Sequence, residues 1–416
     1  MSRPESACSS GAAARWLVVA ACASLLAAGC GSSQSTASTT TSTAVARTTT
    51  TTRDTTTTDV TATTQAPTTT TGAATTTTTE VATTTTTLAN GWTEAQLLAQ
   101  MIMIGGDFSD ISSSTEAVRD GAGGVVFLGL PPAGSGPSIK SSLGQLERAA
   151  TTPLFTATDE EGGGIARLTN VIGAIPWPRQ MEQTMSPDQV QVLMKGQGAA
   201  MLALGIDMDL APVLDTASAN DTIDDENERS FNENAKIASS YGLAFAAGLR
   251  DGGVIAVAKH FPGLGHANGD TDLGPASDPV LSKLEKNDLV PFQHAIDAGV
   301  PVVMMSNVTE PTWGSVPASM NPAAYRYLRS MGFTGVVITD SLDAGAISHV
   351  GDSGPEAVVR AIEAGADMAM VTTPTDFSAA LADLERAVSS GQLPLSQVEA
   401  SVQRILALKK GIALPG

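Results

Sequence analysis

After residue 88 the chain repeats one pattern: a short, largely apolar run, a polar turn, then a longer amphipathic stretch. The apolar runs are Met101–Ile104, Gly124–Leu128, Leu154–Thr158, Met208–Ala211, Ile255–Ala258, Val302–Ser306, Gly335–Thr339 and Met368–Val371. Runs this short and this uniformly apolar suit parallel strands buried on both faces. The stretches between them read as helices, including Pro187–Leu204, Asn234–Asp251, Leu284–Ala298, Pro322–Met331 and Gly354–Ala364, with Ser396–Lys410 last. Strand and helix in alternation predict βαβ units, and eight strands predict an α/β fold, a single (β/α)₈ TIM-type barrel. An open, doubly wound sheet has the same periodicity, so the strand ends must decide. No Gly-x-Gly-x-x-Gly follows a strand, Gly162-Gly163-Gly164 lacks that spacing, and no Walker lysine motif occurs. Nucleotide binding is therefore disfavoured.

The first 88 residues obey a different rule. Arg3 and Arg15 precede the apolar segment Leu17–Ala28, which is short for a bilayer span and ends in small residues. Residues 1–29 therefore read as a secretory signal peptide. The stretch Leu25-Leu26-Ala27-Ala28-Gly29-Cys30 resembles a bacterial lipobox, which predicts lipidation of Cys30. Residues 30–88 are mostly threonine with almost no large apolar side chain. Such a segment buries too little surface to offset chain entropy and reads as a disordered, lipid-anchored stalk. Roughly 55 flexible residues span on the order of 40 Å, enough to hold residues 89–416 away from a membrane. The expected location is the outer face of the cytoplasmic membrane, within the wall.

Cysteine usage and charge narrow the partners. Cys8 and Cys22 fall inside the signal, leaving Cys30 alone in the mature chain, without an internal disulfide or a multi-cysteine metal site. The acids and remaining histidines lack ligand spacing, so neither metal nor cofactor is expected. A formal charge of −19 disfavours nucleic acid and anionic lipid, and membrane contact is expected through the anchor only. A neutral carbohydrate is compatible with that charge. A monomer is expected.

Four polar clusters follow predicted strands, where a barrel of this kind places its chemistry. Asp159-Glu160-Glu161-Gly162-Gly163, with Arg167 beyond it, combines carboxylates that accept hydroxyl protons with glycines that permit a sharp turn. Lys259-His260-Phe261-Pro262-Gly263-Leu264-Gly265-His266 places two donors side by side at a strand end, unusual for a structural position. His294, on a predicted helix, reads as an ordinary packed histidine. Gly269-Asp270-Thr271-Asp272 spaces two acids by one residue, as a general acid with its orienter or a capped turn would. The run Val336-Val337-Ile338-Thr339 ends in Asp340, placed to attack an anomeric carbon, while Asp343 reads as a helix cap.

Lys259–Gly265 and Thr339–Leu342 together resemble glycoside hydrolase family 3, in its bacterial β-N-acetylglucosaminidase (β-hexosaminidase) branch, across Trp92–Leu408. The acidic Gly-Gly turn at 159–163 and Glu228-Arg229-Ser230-Phe231 match in order and spacing. The resemblance implies that Asp340 is the nucleophile of a retaining hydrolase. It implies that Asp159, Arg167, Arg229, Lys259 and His260 hold the terminal sugar. The branch's Asp-x-His acid/base pair falls on Asp270-Thr271-Asp272, so Asp272 stands where the family has histidine.

An ordinary aspartic acid, with a pKa of about 3.9, is largely ionised at neutral pH. Asp272 is then the first candidate proton donor, with Asp270 beside it to raise its pKa, and His266 is the second. Leu264 replaces a further histidine of the family. With no second domain expected after Gly416, the N-acetylglucosaminidase branch is favoured over the glucosidases. Three functions are carried forward: an exported exo-β-N-acetylglucosaminidase acting on cell-wall (peptidoglycan) fragments, a β-glucosidase of the same family, and a sugar-binding lipoprotein with weakened catalysis.

Overall fold

The computed structural model describes residues 91–218, 226–352 and 354–410. The expected signal peptide, Cys30 and the threonine-rich stalk lie outside these residues.

Eight strands close a parallel barrel: β1 (Ile102–Asp107), β2 (Gly124–Leu128), β3 (Phe155–Thr158), β4 (Met208–Asp209), β5 (Ile255–Phe261), β6 (Val302–Met305), β7 (Val336–Ser341) and β8 (Met368–Val371). Each pairs with the next in sequence, and β1 pairs with β8 through Ile102↔Ala369 and Ile104↔Val371 to complete the ring. The expected barrel is thus the observed fold. Side chains such as Met103, Phe127, Phe155, Val257, Met304 and Ile338 are fully buried, so the strands need apolar residues on both faces. Helices occupy the crossovers, among them Pro187–Leu204 and Ala235–Asp251, and Leu395–Lys409 follows the last strand. The first of these carries a capping box in which Ser186 and Gln189 satisfy each other's backbone N–H.

Three expectations are corrected. The helix expected over 284–298 is broken into Leu281–Leu284 and Leu289–Asp297, with a turn between them. Asp288 in that turn is buried and receives bonds from two other loops, a tertiary demand that overrides helical propensity. Strand β5 runs through Phe261, so Lys259 and His260 lie within the strand rather than after it. Asp343 does not cap the helix that follows. It accepts from both the backbone N–H and the hydroxyl of Thr372, beyond the end of β8.

The barrel's N-terminal end is locked by one lysine. Lys409, at the end of the last helix, donates to Gln100 Oε1 at 2.8 Å, Gly123 O at 2.6 Å and Pro153 O at 2.8 Å. Its Nζ stands 4.5 Å from the centre of the Phe155 ring. The three acceptors precede β1, β2 and β3, so one ammonium ties three strand entrances to the closing helix. Lys409→Met leaves the buried Gln100 Oε1 without its donor and removes a bond from Pro153 O, while Gly123 O keeps the Phe155 N–H, and is expected to cost about 2 kcal/mol in urea unfolding. Activity measured well below the unfolding midpoint should be unchanged.

Candidate active site

At the opposite, C-terminal end of the barrel, buried charges from three segments meet. Glu161 belongs to a short antiparallel hairpin, Glu160–Gly162 with Ile165–Ala166, that leaves β3. Its Oε1 accepts from Lys259 Nζ at 2.6 Å and from Arg229 Nη2 at 3.0 Å, and its Oε2 from Arg229 Nε at 2.8 Å. Lys259 Nζ also donates to Asp159 Oδ1 at 2.8 Å. Burial alone would push Glu161 up, but Arg229 and Lys259 outweigh it and hold its carboxyl well below the usual range. Lys259 mirrors this: burial works to lower it, and Asp159 and Glu161 raise it above an ordinary lysine. Arg167 leans toward Asp159, Nε to Oδ2 4.0 Å, and its buried Nε has no hydrogen-bond partner among the described residues.

The hairpin's glycines serve packing more than ligand approach. Gly163 has φ +56°, and a Cβ there would lie 2.0 Å from the Trp177 ring. The indole closes over the turn and fixes the hairpin beside Lys259.

His260 joins the cluster at one end, its Nε2 3.4 Å from Arg229 Nη2. Its Nδ1 lies 2.7 Å from Asp215 Oδ2, and since a carboxylate only accepts, the proton resides on Nδ1. Asp215 also accepts the backbone N–H groups of His260 at 3.2 Å and Leu264 at 2.8 Å, so it orients both the ring and the following loop. Burial tends to lower the imidazole pKa, but Asp215 outweighs burial and raises it, and the charge of Asp340 adds in the same direction. Asp340 stands near the end of β7, on the same rim of the barrel as the end of β5. One of its oxygens, Oδ1, accepts the N–H of Ser341 at 2.8 Å.

Both strands slip where they carry these groups. The β5–β6 register shifts between Ala258 and Phe261, where the Lys259–His260 and Phe261–Pro262 peptides are cis. The β7–β8 register shifts between Ile338 and Ser341, and the Met370 N–H bonds to the Thr339 hydroxyl at 2.9 Å. Such irregularities re-aim side chains at the rim of a barrel.

The two expected proton donors are placed differently. Asp270 Oδ1 accepts the Asp272 N–H at 2.8 Å, the capped-turn arrangement, and Asp272 is exposed. Their loop rests on the segment just beyond Asp340: Asp272 O accepts from Gly345 N and Thr271 O from Ala346 N. His266 is anchored elsewhere, with Nδ1 2.7 Å from Asp288 Oδ1, which also accepts the Thr216 hydroxyl at 3.0 Å. Asp159, Arg167, Arg229, Lys259 and His260 are thus gathered in one site, Asp340 stands near the end of β7 on the same rim, the Asp270–Asp272 loop is bonded to the segment beyond it, and His266 is held by Asp288. Glu161, Asp215 and Asp288 complete these groupings through partners distant in sequence. Asp215 had a signal, since it ends the run Leu210–Leu214 beyond β4 just as Asp340 ends β7.

Two measurements follow. Glu161→Ala leaves Arg229 and Lys259 without their shared carboxylate and is expected to cost about 4 kcal/mol in thermal or denaturant unfolding. Glu160, buried behind Asp159, accepts from Leu168 N at 2.8 Å and Gln197 Nε2 at 3.1 Å, and burial raises its pKa from 4.5 to about 7. Between those values the folded chain holds a proton that the unfolded chain has released, so this group's stabilisation is lost as pH rises through the window. Glu160→Gln, which cannot titrate, should gain on the wild type by about 3 kcal/mol at most across that window, in unfolding measured at several pH values.

The glycosyl hydrolase family 3 N-terminal domain matches residues 95–408. The chain is 38% identical over 266 residues to the β-hexosaminidase LpqI of Mycobacterium tuberculosis, covering 62% of this chain and 68% of that one. The solved structure of M. tuberculosis LpqI superposes with a TM-score of 0.71 at 34% identity, covering 77% of this chain and 94% of that one. A family 3 β-N-acetylglucosaminidase from a Paenibacillus species gives a TM-score of 0.72 at 30% identity, covering 77% of this chain and 63% of that one. With its barrel closed, a buried cation and carboxylate cluster at the strand exits, and the domain matched along most of its length, the chain belongs to glycosyl hydrolase family 3 and is a glycoside hydrolase.

Proposed function

We propose that the protein is an exported, retaining exo-β-N-acetylglucosaminidase that removes terminal β-linked N-acetylglucosamine, with cell-wall fragments as its source. The observation that carries this reading is the placement of Asp340 near the end of β7, on the barrel rim that also carries His260 and the Lys259–Asp159–Glu161–Arg229 cluster. The relatives named above as β-hexosaminidase and β-N-acetylglucosaminidase support the sugar.

Asp159, Arg167, Arg229, Lys259 and His260 would hold the terminal sugar, and because most are already bonded to one another, little reorganisation is needed on binding. Asp340 then attacks the anomeric carbon as the glycosidic bond breaks, and water later resolves the glycosyl-enzyme. Asp272 gives the proton to the departing oxygen, because its loop is bonded to the segment that leaves Asp340, whereas His266 is tied to Asp288. The signal-like N-terminus, Cys30 and the threonine-rich stretch support an anchored enzyme working outside the membrane.

The test uses 4-nitrophenyl N-acetyl-β-glucosaminide and the matching β-glucoside. Preference for the first by about 100-fold or more is expected, and Asp340→Asn should remove about 1,000-fold or more of the rate. Equal turnover by wild type and Asp340→Asn would overturn the enzymatic reading. Tight binding of chitobiose without turnover would identify a sugar-binding lipoprotein instead, the reading that Asp272 in place of histidine favours.

A further inference from the structure

The loop that carries Asp272 is seated on one glycine. The helix Gly345–His349 starts just beyond β7, and its N-cap residue, Ala344, has no side chain that can satisfy the free N–H groups of a helix start. Two of those groups are taken by the acidic loop: Gly345 N–H donates to Asp272 O at 3.0 Å and Ala346 N–H to Thr271 O at 2.9 Å. A Cβ on Gly345 would stand 2.6 Å from Leu273 C, 2.7 Å from Leu273 O and 2.8 Å from Asp272 O. All three are backbone atoms, so no side chain can rotate away to make room. Gly345 does not lie in the left-handed region, and the close approach of the loop is what leaves space only for glycine.

Within the loop, the bonds are local. Asp270 Oδ1 accepts the N–H of Asp272, and Asp270 O accepts from Leu273 N at 3.3 Å and Gly274 N at 3.1 Å. Leu273 itself is 86% exposed, so its side chain does little to hold the loop against the barrel. Thr271 is buried, at the point where the loop meets Ala346.

We infer that Gly345 is a positioning residue: it lets the acidic loop dock directly on the segment leaving the nucleophile and so sets where Asp272 stands relative to Asp340. This rests on the reading of Asp340 as nucleophile and Asp272 as proton donor. In the first step a bond forms between Asp340 and the anomeric carbon, the electron pair of the glycosidic bond passes to the leaving oxygen, and that oxygen takes the proton of Asp272. A dinitrophenolate leaves without a proton, whereas a sugar hydroxyl needs one. Displacing the loop must therefore slow natural leaving groups and spare activated ones.

The experiment compares kcat/KM, which reports this first step, for chitobiose and for 2,4-dinitrophenyl N-acetyl-β-glucosaminide in wild type, Gly345→Ala, Asp270→Ala and Asp272→Asn. Hydrogen exchange of residues 269–274 is measured in parallel. Gly345→Ala should lose about 100-fold on chitobiose and at most about 3-fold on the dinitrophenyl substrate, approaching the pattern of Asp272→Asn. Its loop amides should exchange faster while β5 and β7 keep wild-type protection. Asp270→Ala, which loosens the same turn from its other end, should give the same split. Equal losses on both substrates, or unchanged loop protection with unchanged rates, would overturn the role of Gly345. A split in Asp272→Asn without one in Gly345→Ala or Asp270→Ala refutes the seat alone. No split in Asp272→Asn refutes the proton-donor reading and the seat with it.

Discussion

Three segments far apart in the chain converge on the carboxylate of Glu161, and the site depends on that convergence. The hairpin after β3 brings Glu161, the segment after residue 225 brings Arg229, and β5 brings Lys259, all at bonding distances of 2.6 to 3.0 Å. With Asp159 the cluster holds two carboxylates and two cations, so its net charge is zero although nearly all of it is buried. A buried carboxylate between two cations is costly to disassemble, because removing any member strands a charge in a medium of low polarity. The same geometry fixes the side chains that face the sugar before any sugar arrives.

Around that cluster the barrel departs from regularity only where chemistry needs it. Strand β5 slips at Lys259 and His260, and β7 slips around Asp340, with the Thr339 hydroxyl taking over a ladder bond. The deeper acids are of a second kind. Asp209 accepts the Glu160 N–H at 2.9 Å, and burial raises its pKa well above the usual value, as it does for Glu160. These groups support the hairpin from behind. Orientation of His260 falls to Asp215, which holds the ring and the loop after β5 together. The two ends of the barrel thus divide their tasks: Lys409 secures the strand entrances, and the charged cluster equips the exits.

Much of this was legible in the sequence, for identifiable reasons. Barrel strands buried on both faces write themselves as uninterrupted apolar runs, so all eight were found with errors of a few residues at their ends. The position of Asp340 near the end of β7 was legible because an acid follows such a run. Glu161 was not, since three consecutive acids do not reveal which one pairs with both cations; that depends on Arg229, nearly seventy residues away. Asp215 and Asp288 escaped notice because their partners, His260 and His266, come from distant loops. Asp343 looked like a cap because local spacing cannot show a partner such as Thr372, at the exit of the neighbouring strand β8. Gly345 was equally invisible, its demand being set by backbone atoms of another loop.

The central claim is that Asp340 forms a covalent bond to the sugar. Incubation with a fluorinated N-acetylglucosaminide that forms the glycosyl-enzyme quickly and hydrolyses slowly, followed by peptide mass spectrometry, addresses it directly. The account predicts one sugar adduct per chain on the peptide containing Asp340, and none in Asp340→Asn. An adduct on any other carboxylate, or turnover of this probe with inversion at the anomeric carbon and no adduct, would contradict it.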